Sequence, residues 1–259
     1  DWKSRLLRVD FSRGRPIAIP LDPHGPQPSF FAVAPARAAP LRHGDYVGDV
    51  AAGGSCNAEV IELAPHCHGT HTECLGHLRA GLPPVQDLVY SEPGLARLVT
   101  LSGVRGGQSR APTLELDGLR KALGDANVFD WEALVIRTLP NDPAKASRDY
   151  RTHPDYPVFS AAAMASLSRL PLKHLLLDTP SLDLAHDGGR LANHRCWWGL
   201  SAEPVAGGVD ASRRSLTEMI YVPDDLADGE YWLHLELSPL CSDATPSRPV
   251  LYPVCAPQP

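Results

Sequence analysis

The stretch HCHGTHTECLGH, residues 66–77, packs four histidines, two cysteines and a glutamate into twelve positions. Pro65 stands before it and Gly69 within it, and both argue against a continuous helix. The stretch therefore reads as a strand end that turns through a loop. In an extended segment alternate side chains share a face, so His71 and Glu73 point the same way. That is a natural pair of ligands for a divalent cation, which needs imidazole, carboxylate or thiolate groups converging from more than one element. A lone histidine usually serves packing or the surface. So many ligand types at a glycine-containing strand end rarely do, even in a chain with eleven histidines.

Working outward, NAEVIELAP (57–65) alternates as a strand that leads into the cluster. The preceding PIAIPLDPHGPQPSFFAVAPARAAP is too rich in proline for central strands and reads as extended or edge structure over the core. Downstream, LELDGLRKALGD is helical, with Leu116, Leu119 and Leu123 on one face and Gly124 at the stop. ALVIRT follows as a buried strand. SAAAMASLSRLP is a second helix, capped by Ser160 and closed by Pro171. It leads into HLLLDTPSLD, an apolar strand ending in a polar loop where Asp178 and Ser181 are placed to shape a pocket wall through hydrogen bonds to loop backbone. GEYWLHLELSPL alternates as a half-buried strand, and RPVLYPV could close the sheet. RGGQSR is a loop. The twenty-six prolines punctuate connections without marking a linker, and one domain spanning residues 1–259 is the expected organisation.

Composition narrows the function classes. At 43% apolar residues over 259 positions, the chain can bury a sizeable core. A formal charge of −6 offers no basic face for nucleic acid. No apolar run approaches the roughly eighteen residues of a membrane span, and the first residues lack the apolar stretch of a signal peptide. Six irregularly spaced cysteines do not make a disulfide framework. A cytoplasmic protein acting on a small molecule, with neither nucleic acid nor membrane as partner, is the expectation. No phosphate-cradling glycine motif and no nucleophile elbow is present. A cysteine nucleophile at Cys67 or Cys74 beside a histidine is conceivable, but a metal centre accounts for more of the residues.

The run CHGTHTECLGH, residues 67–77, resembles the H-x-G-T-H-x-D-x-P-x-H signature of the metal-dependent cyclase and kynurenine formamidase family, which includes isatin hydrolase. VIRT, HPDYPVFSAAAMASL, LLLDTPSLD, LANH and TPSRPVL follow in the family's order, so the resemblance spans about residues 8–253. It implies an α/β, strand-rich fold of the swivelling β/β/α type, a barrel-like sheet flanked by helices. It also implies a homodimer. Carried over by position, the metal ligands fall on Cys67, His71, Glu73, His194 and Glu218, and the catalytic histidine on His77. Glu218 follows an apparent insertion around SAEPVAGGVDASRRS.

Three positions depart from the pattern. Cys67 stands in place of a histidine; a thiolate there favours zinc over manganese, and His66 or His68 could take its place. Glu73 replaces aspartate and lengthens the arm by about 1.5 Å. Leu75 replaces proline, and the tryptophan of the family's early P-x-W-P-G-D region is missing from PLDPHGP. The chemistry implied is hydrolysis of a small amide, formamide or cyclic amide by metal-activated water, with zinc or manganese as the divalent metal and His77 relaying the proton. A non-catalytic small-molecule-binding protein with a decayed metal site on the same fold is the alternative. Trp197 and Trp198 either line an apolar pocket or pack the core.

Overall fold

Two apolar runs without alternation, ALVI at 133–136 and HLLL at 174–177, are buried along their whole length, as strands covered on both faces must be. In the computed structural model, which describes residues 2–3, 5–89, 93–106, 111–125, 127–200 and 210–255, they lie in the middle of a closed barrel of seven strands. In chain order these are β1 (His71–Glu73), β2 (Gly94–Ser102), β3 (Ala133–Leu139), β4 (His174–Leu177), β5 (Ser215–Glu218), β6 (Gly229–Leu237) and β7 (Ala244–Cys255). Around the barrel the order is β7, β6, β2, β3, β4, β5, β1, and β1 pairs back onto β7. β2 to β5 run parallel to one another, while β1, β6 and β7 pair antiparallel. Closure leaves no free edge at the ligand strand β1, which is hydrogen-bonded on both sides.

Strand alternation sorts the core into two sets. Ala96, Leu98, Ala133, Val135, Leu176, Leu233 and Leu251 pack together on one face of the sheet. Leu95, Val99, Leu134, Ile136, Leu175, Leu177 and Leu216 point the opposite way, onto α2 (Leu116–Leu123), α3 (Ala161–Ser168) and α4 (Ala192–Trp197). Each fully buried Leu or Ile contributes about 1.5–3 kcal/mol relative to an exposed one. α3 begins as expected: the Ser160 hydroxyl accepts from Ala163 N–H. α2 ends at Gly124, whose φ of +60° a side chain rarely adopts.

The architecture matches the expected strand-rich, helix-flanked barrel, with three local differences. Pro65 does not exclude helix. It occupies the first turn of α1 (Pro65–His68), where a missing N–H costs nothing. The strand within NAEVIELAP, Glu59–Glu62, is exposed along its length and pairs with Arg37–Pro40 outside the barrel. β2, GLARLVTLS, is a barrel strand that the sequence reading does not include, although Pro93–Gly94 and Ser102–Gly103 bracket it; it lies between β3 and β6. Most of the insertion before Glu218, residues 201–209, and residues 107–110 of RGGQSR lie outside the described residues. No helix among the described residues is long and apolar enough to cross a membrane.

Candidate metal centre

β1 sets the first half of the site. Its partners pair Glu218 with His71 and Leu216 with Glu73, so these four side chains share a face. Thr72 takes the opposite face, where its hydroxyl meets Thr217 and Ser247 at 2.8 Å. Leu216 belongs to the helix-side core, which places His71, Glu73 and Glu218 between the barrel wall and α4. α4 supplies His194, and the turn α1 immediately before β1 supplies His66. His77 ends the short helical turn Leu75–His77 that follows β1.

Two kinds of contact surround these rings. The outer ones are aligned hydrogen bonds. His71 Nδ1 lies 3.0 Å from Gly69 O, and His194 Nδ1 lies 2.7 Å from Asp183 Oδ2. His66 Nε2 and His77 Nδ1 both meet Asp243 Oδ2, at 2.9 and 3.3 Å. The inner contacts are close but lack that alignment. His66 Nδ1 is 3.0 Å from Glu73 Oε2, His194 Nε2 is 3.2 Å from Glu73 Oε1, and His71 Nε2 and His194 Nε2 are each 3.5 Å from an oxygen of Glu218. Three buried atoms at this centre, His71 Nε2 and both carboxylate oxygens of Glu73, have no hydrogen-bond partner. Leaving such atoms unsatisfied costs about 1–3 kcal/mol each, more for a charged group. A cation between them removes that cost, so the residues fit a divalent metal.

Electrostatics agree. Glu73 and Glu218 are both buried, at 0% and 3% exposure. Burial opposes the charge of Glu73, but His77, His194 and His66 hold its carboxyl well below the usual range. Burial and the charge of Glu73 oppose ionisation of Glu218, which His194 and His71 nonetheless keep low. Burial works against protonated His66, yet Asp243 and Glu73 raise it to about 10. Glu73, Glu218, Asp183 and Asp243 thus form an anionic well that draws positive charge, protons on the imidazoles or a cation.

The structure brings His71, Glu73, His194, Glu218 and His77 together, and sets Cys67 apart from the close ligand-type groupings. Atoms of His66, His71 and Glu73, and of Glu73, His77 and His194, lie close enough to share an ion, as do those of His66, His77 and Asp243. Cys67 packs instead among Ile19, Phe30, Tyr150, Tyr156 and Met219. Burial, with the charge of Glu218, pushes its thiol up to about 11. His68, the other substitute, is engaged elsewhere, with Nδ1 against Ala64 N–H and Nε2 against Ala34 O. Asp183 and Asp243 were not singled out in the sequence; Asp183 stands 11 residues before His194 and Asp243 stands 177 beyond His66, and no local pattern marks either.

The centre opens into a cavity of about 340 Å³ whose wall includes Phe30, Phe31, Ser181, Leu184 and Leu191. Phe31 and Leu191 hold φ of +54° and +46°, and Met219, next to Glu218, holds +54°. Backbone strain in non-glycine residues is thus concentrated around this cavity, as it often is at functional sites. Ser181 lines the wall. Asp178 lies behind it, accepting from Thr138 N–H and Oγ1 at 2.8 Å and from Lys145 Nζ at 2.7 Å, which ties the ends of β3 and β4. Trp197 and Trp198 are core residues, 0% and 1% exposed, and their indole N–H groups donate to Ser215 O and Arg214 O.

A family model described as "Putative cyclase" matches residues 10–184. Isatin hydrolase A from Labrenzia aggregata, solved bound to benzyl benzoate, superposes with a TM-score of 0.61 at 14% identity, covering 95% of this chain and 94% of that one. A predicted metal-dependent hydrolase from Bacillus stearothermophilus gives a TM-score of 0.55 at 14% identity, covering 93% and 98%. A structure described as a novel cyclase gives 0.61 at 18% identity, covering 94% and 89%. At these identities the likeness is one of fold. A search of the curated proteins finds no match.

Proposed function

This chain belongs to the cyclase family, and from that premise we propose that it is a metal-dependent hydrolase that opens the C–N bond of a small, neutral amide, formamide or cyclic amide. The observation that carries the reading is the set of three unpartnered buried atoms, His71 Nε2 and Glu73 Oε1 and Oε2, ringed by imidazoles whose outer nitrogens are already engaged. His71, Glu73, His194 and Glu218 would hold the cation, with His66 as the third imidazole. With Cys67 turned into the apolar cluster, the softness argument for zinc weakens, and an imidazole and carboxylate set suits zinc or manganese. When bound, the ion supplies Lewis acidity, polarising an acyl oxygen and lowering the pKa of water. The predicted metal-dependent hydrolase and the isatin hydrolase of the same fold accord with this chemistry.

His77 supplies the proton path. Its Nδ1 is engaged by Asp243, which leaves Nε2 to accept a proton from the attacking water and deliver it to the departing nitrogen. Water adds across the bond, its hydroxyl going to the acyl carbon and its proton to the nitrogen, yielding a carboxylic acid and an amine, and the acid then gives its proton to solvent.

The cavity wall selects the substrate. Phe30 and Phe31 lie with ring centroids 4.2 Å apart and provide an aromatic surface where the expected tryptophan is missing. The described wall contains no lysine or arginine. Its Asp187 carboxylate is taken up by the backbone N–H groups of Gly189, Arg190 and Leu191. Away from the metal centre the described wall offers a substrate carboxylate no lysine or arginine, which favours a neutral, planar, apolar amide.

The test is turnover of formanilides, isatin-like lactams and simple lactones by metal-loaded protein across the neutral range. His77→Ala should retain its metal while turnover of the best substrate falls about a hundredfold, the scale for losing a general acid or base. Fully loaded protein that turns over none of these above the buffer rate would overturn the hydrolase reading.

A further inference from the structure

Asp243 stands immediately before β7, and the pairing of Ala244 with Glu73 brings it beside the ligand strand. Its carbonyl accepts Cys74 N–H at 3.1 Å, and its Oδ1 accepts the Ser242 hydroxyl at 3.1 Å. The other oxygen, Oδ2, receives two rings, His66 through Nε2 at 2.9 Å and His77 through Nδ1 at 3.3 Å. Gly76 makes room for this approach: a Cβ there would lie 3.3 Å from the Asp243 Cβ and 3.2 Å from Cys74 Sγ.

His66, His77 and Asp243 are close enough to hold an ion of their own. At 2.9 and 3.3 Å both rings already meet Asp243 Oδ2 as hydrogen bonds, which satisfies this group without an ion. The contact of His66 Nδ1 with Glu73 lacks hydrogen-bond alignment and leaves the carboxylate unpartnered. A neutral imidazole has one donor and one acceptor nitrogen, and a carboxylate that takes the N–H settles which is which.

We propose that Asp243 is a positioning residue that sets two tautomers at once. It keeps the proton of His66 on Nε2, freeing Nδ1 for the metal, and the proton of His77 on Nδ1, freeing Nε2 for proton transfer. One carboxylate therefore couples metal affinity to acid–base competence. The inference rests on the metal-centre reading above.

The test uses the zinc-reconstituted full chain with Asp243→Ala and Asp243→Asn. Zinc affinity is measured by chelator competition, and the tautomers of His66 and His77 by long-range ¹⁵N–¹H NMR of the rings. Asp243→Ala should bind zinc about 10–100-fold more weakly, the scale for losing a carboxylate behind a ligand histidine. Both rings should lose their single tautomer, and kcat should fall at saturating zinc with KM little changed. Asp243→Asn, which keeps an amide oxygen in the same place, should fall between, and it carries the test if the alanine variant folds poorly. Native protein that binds zinc alongside a variant with unaltered affinity and tautomers would overturn this proposal alone. Failure of the native chain to hold either zinc or manganese would overturn both it and the metal reading.

Discussion

His194 gives its Nδ1–H to Asp183 at 2.7 Å, and the same carboxylate accepts the backbone N–H groups of Asn193 and His194 at 3.0–3.1 Å. Asp183 thus satisfies the opening turn of α4 and aims the ligand ring that this turn carries. Asp183→Ala should weaken metal binding about 10–100-fold. It should also cost about 1–2 kcal/mol of stability through the orphaned N–H groups. Chelator competition and urea unfolding measure the two effects separately. Unchanged metal affinity would show that the ring keeps its aim without the carboxylate.

The neighbours His66 and Cys67 should behave oppositely. His66→Ala removes a group 3.0 Å from Glu73 and should lower metal affinity severalfold or more. Cys67→Ala should leave the metal in place and cost on the order of 1 kcal/mol, as for a small buried apolar group. Cobalt-substituted protein should accordingly lack an intense sulfur-to-metal band in the near ultraviolet. A strong band that disappears in Cys67→Ser would make the thiolate a ligand and refute this assignment.

Acid should destabilise the fold through His174, which is 4% exposed with Nδ1 2.7 Å from Ser215 Oγ. Burial, with a smaller push from Lys173, lowers its pKa to about 4, against about 6.5 in an unfolded chain. Between those values the unfolded state binds a proton that the folded state refuses. The contribution of His174 is therefore full above about pH 6.5 and is lost as pH falls toward 4, to a limit of about 3 kcal/mol. Urea unfolding at a series of pH values should show this slope in the native protein and a shallower one in His174→Asn. Equal slopes would assign the acid sensitivity to other groups.

Much of the fold was legible in local pattern. The unbroken runs of β3 and β4, the Ser160 cap and the Gly124 stop each depend on neighbours within a few residues, and the structure has them where the sequence placed them. His71 and Glu73 were legible as a pair because a strand's two-residue repeat puts them on one face. His194 and Glu218 came only through the family resemblance, since nothing in LANH or SLTEMI taken alone points at a metal.

Which of two adjacent residues faces the centre was decided by tertiary structure. Pro65 starts a helical turn, and successive side chains in a helix point about 100° apart. Sequence spacing cannot tell whether His66 or Cys67 then meets Glu73. That depends on how α1 docks against β7 and the apolar cluster around Phe30 and Tyr156. Asp243 was beyond local pattern for the same reason, because 177 residues separate it from His66 and only the pairing of β7 with β1 closes that distance. The sequence by itself determined several of the strands, the family and the supply of ligand-type side chains. The closure of the barrel decided which of them meet, because that choice is made by contacts between segments far apart in the chain.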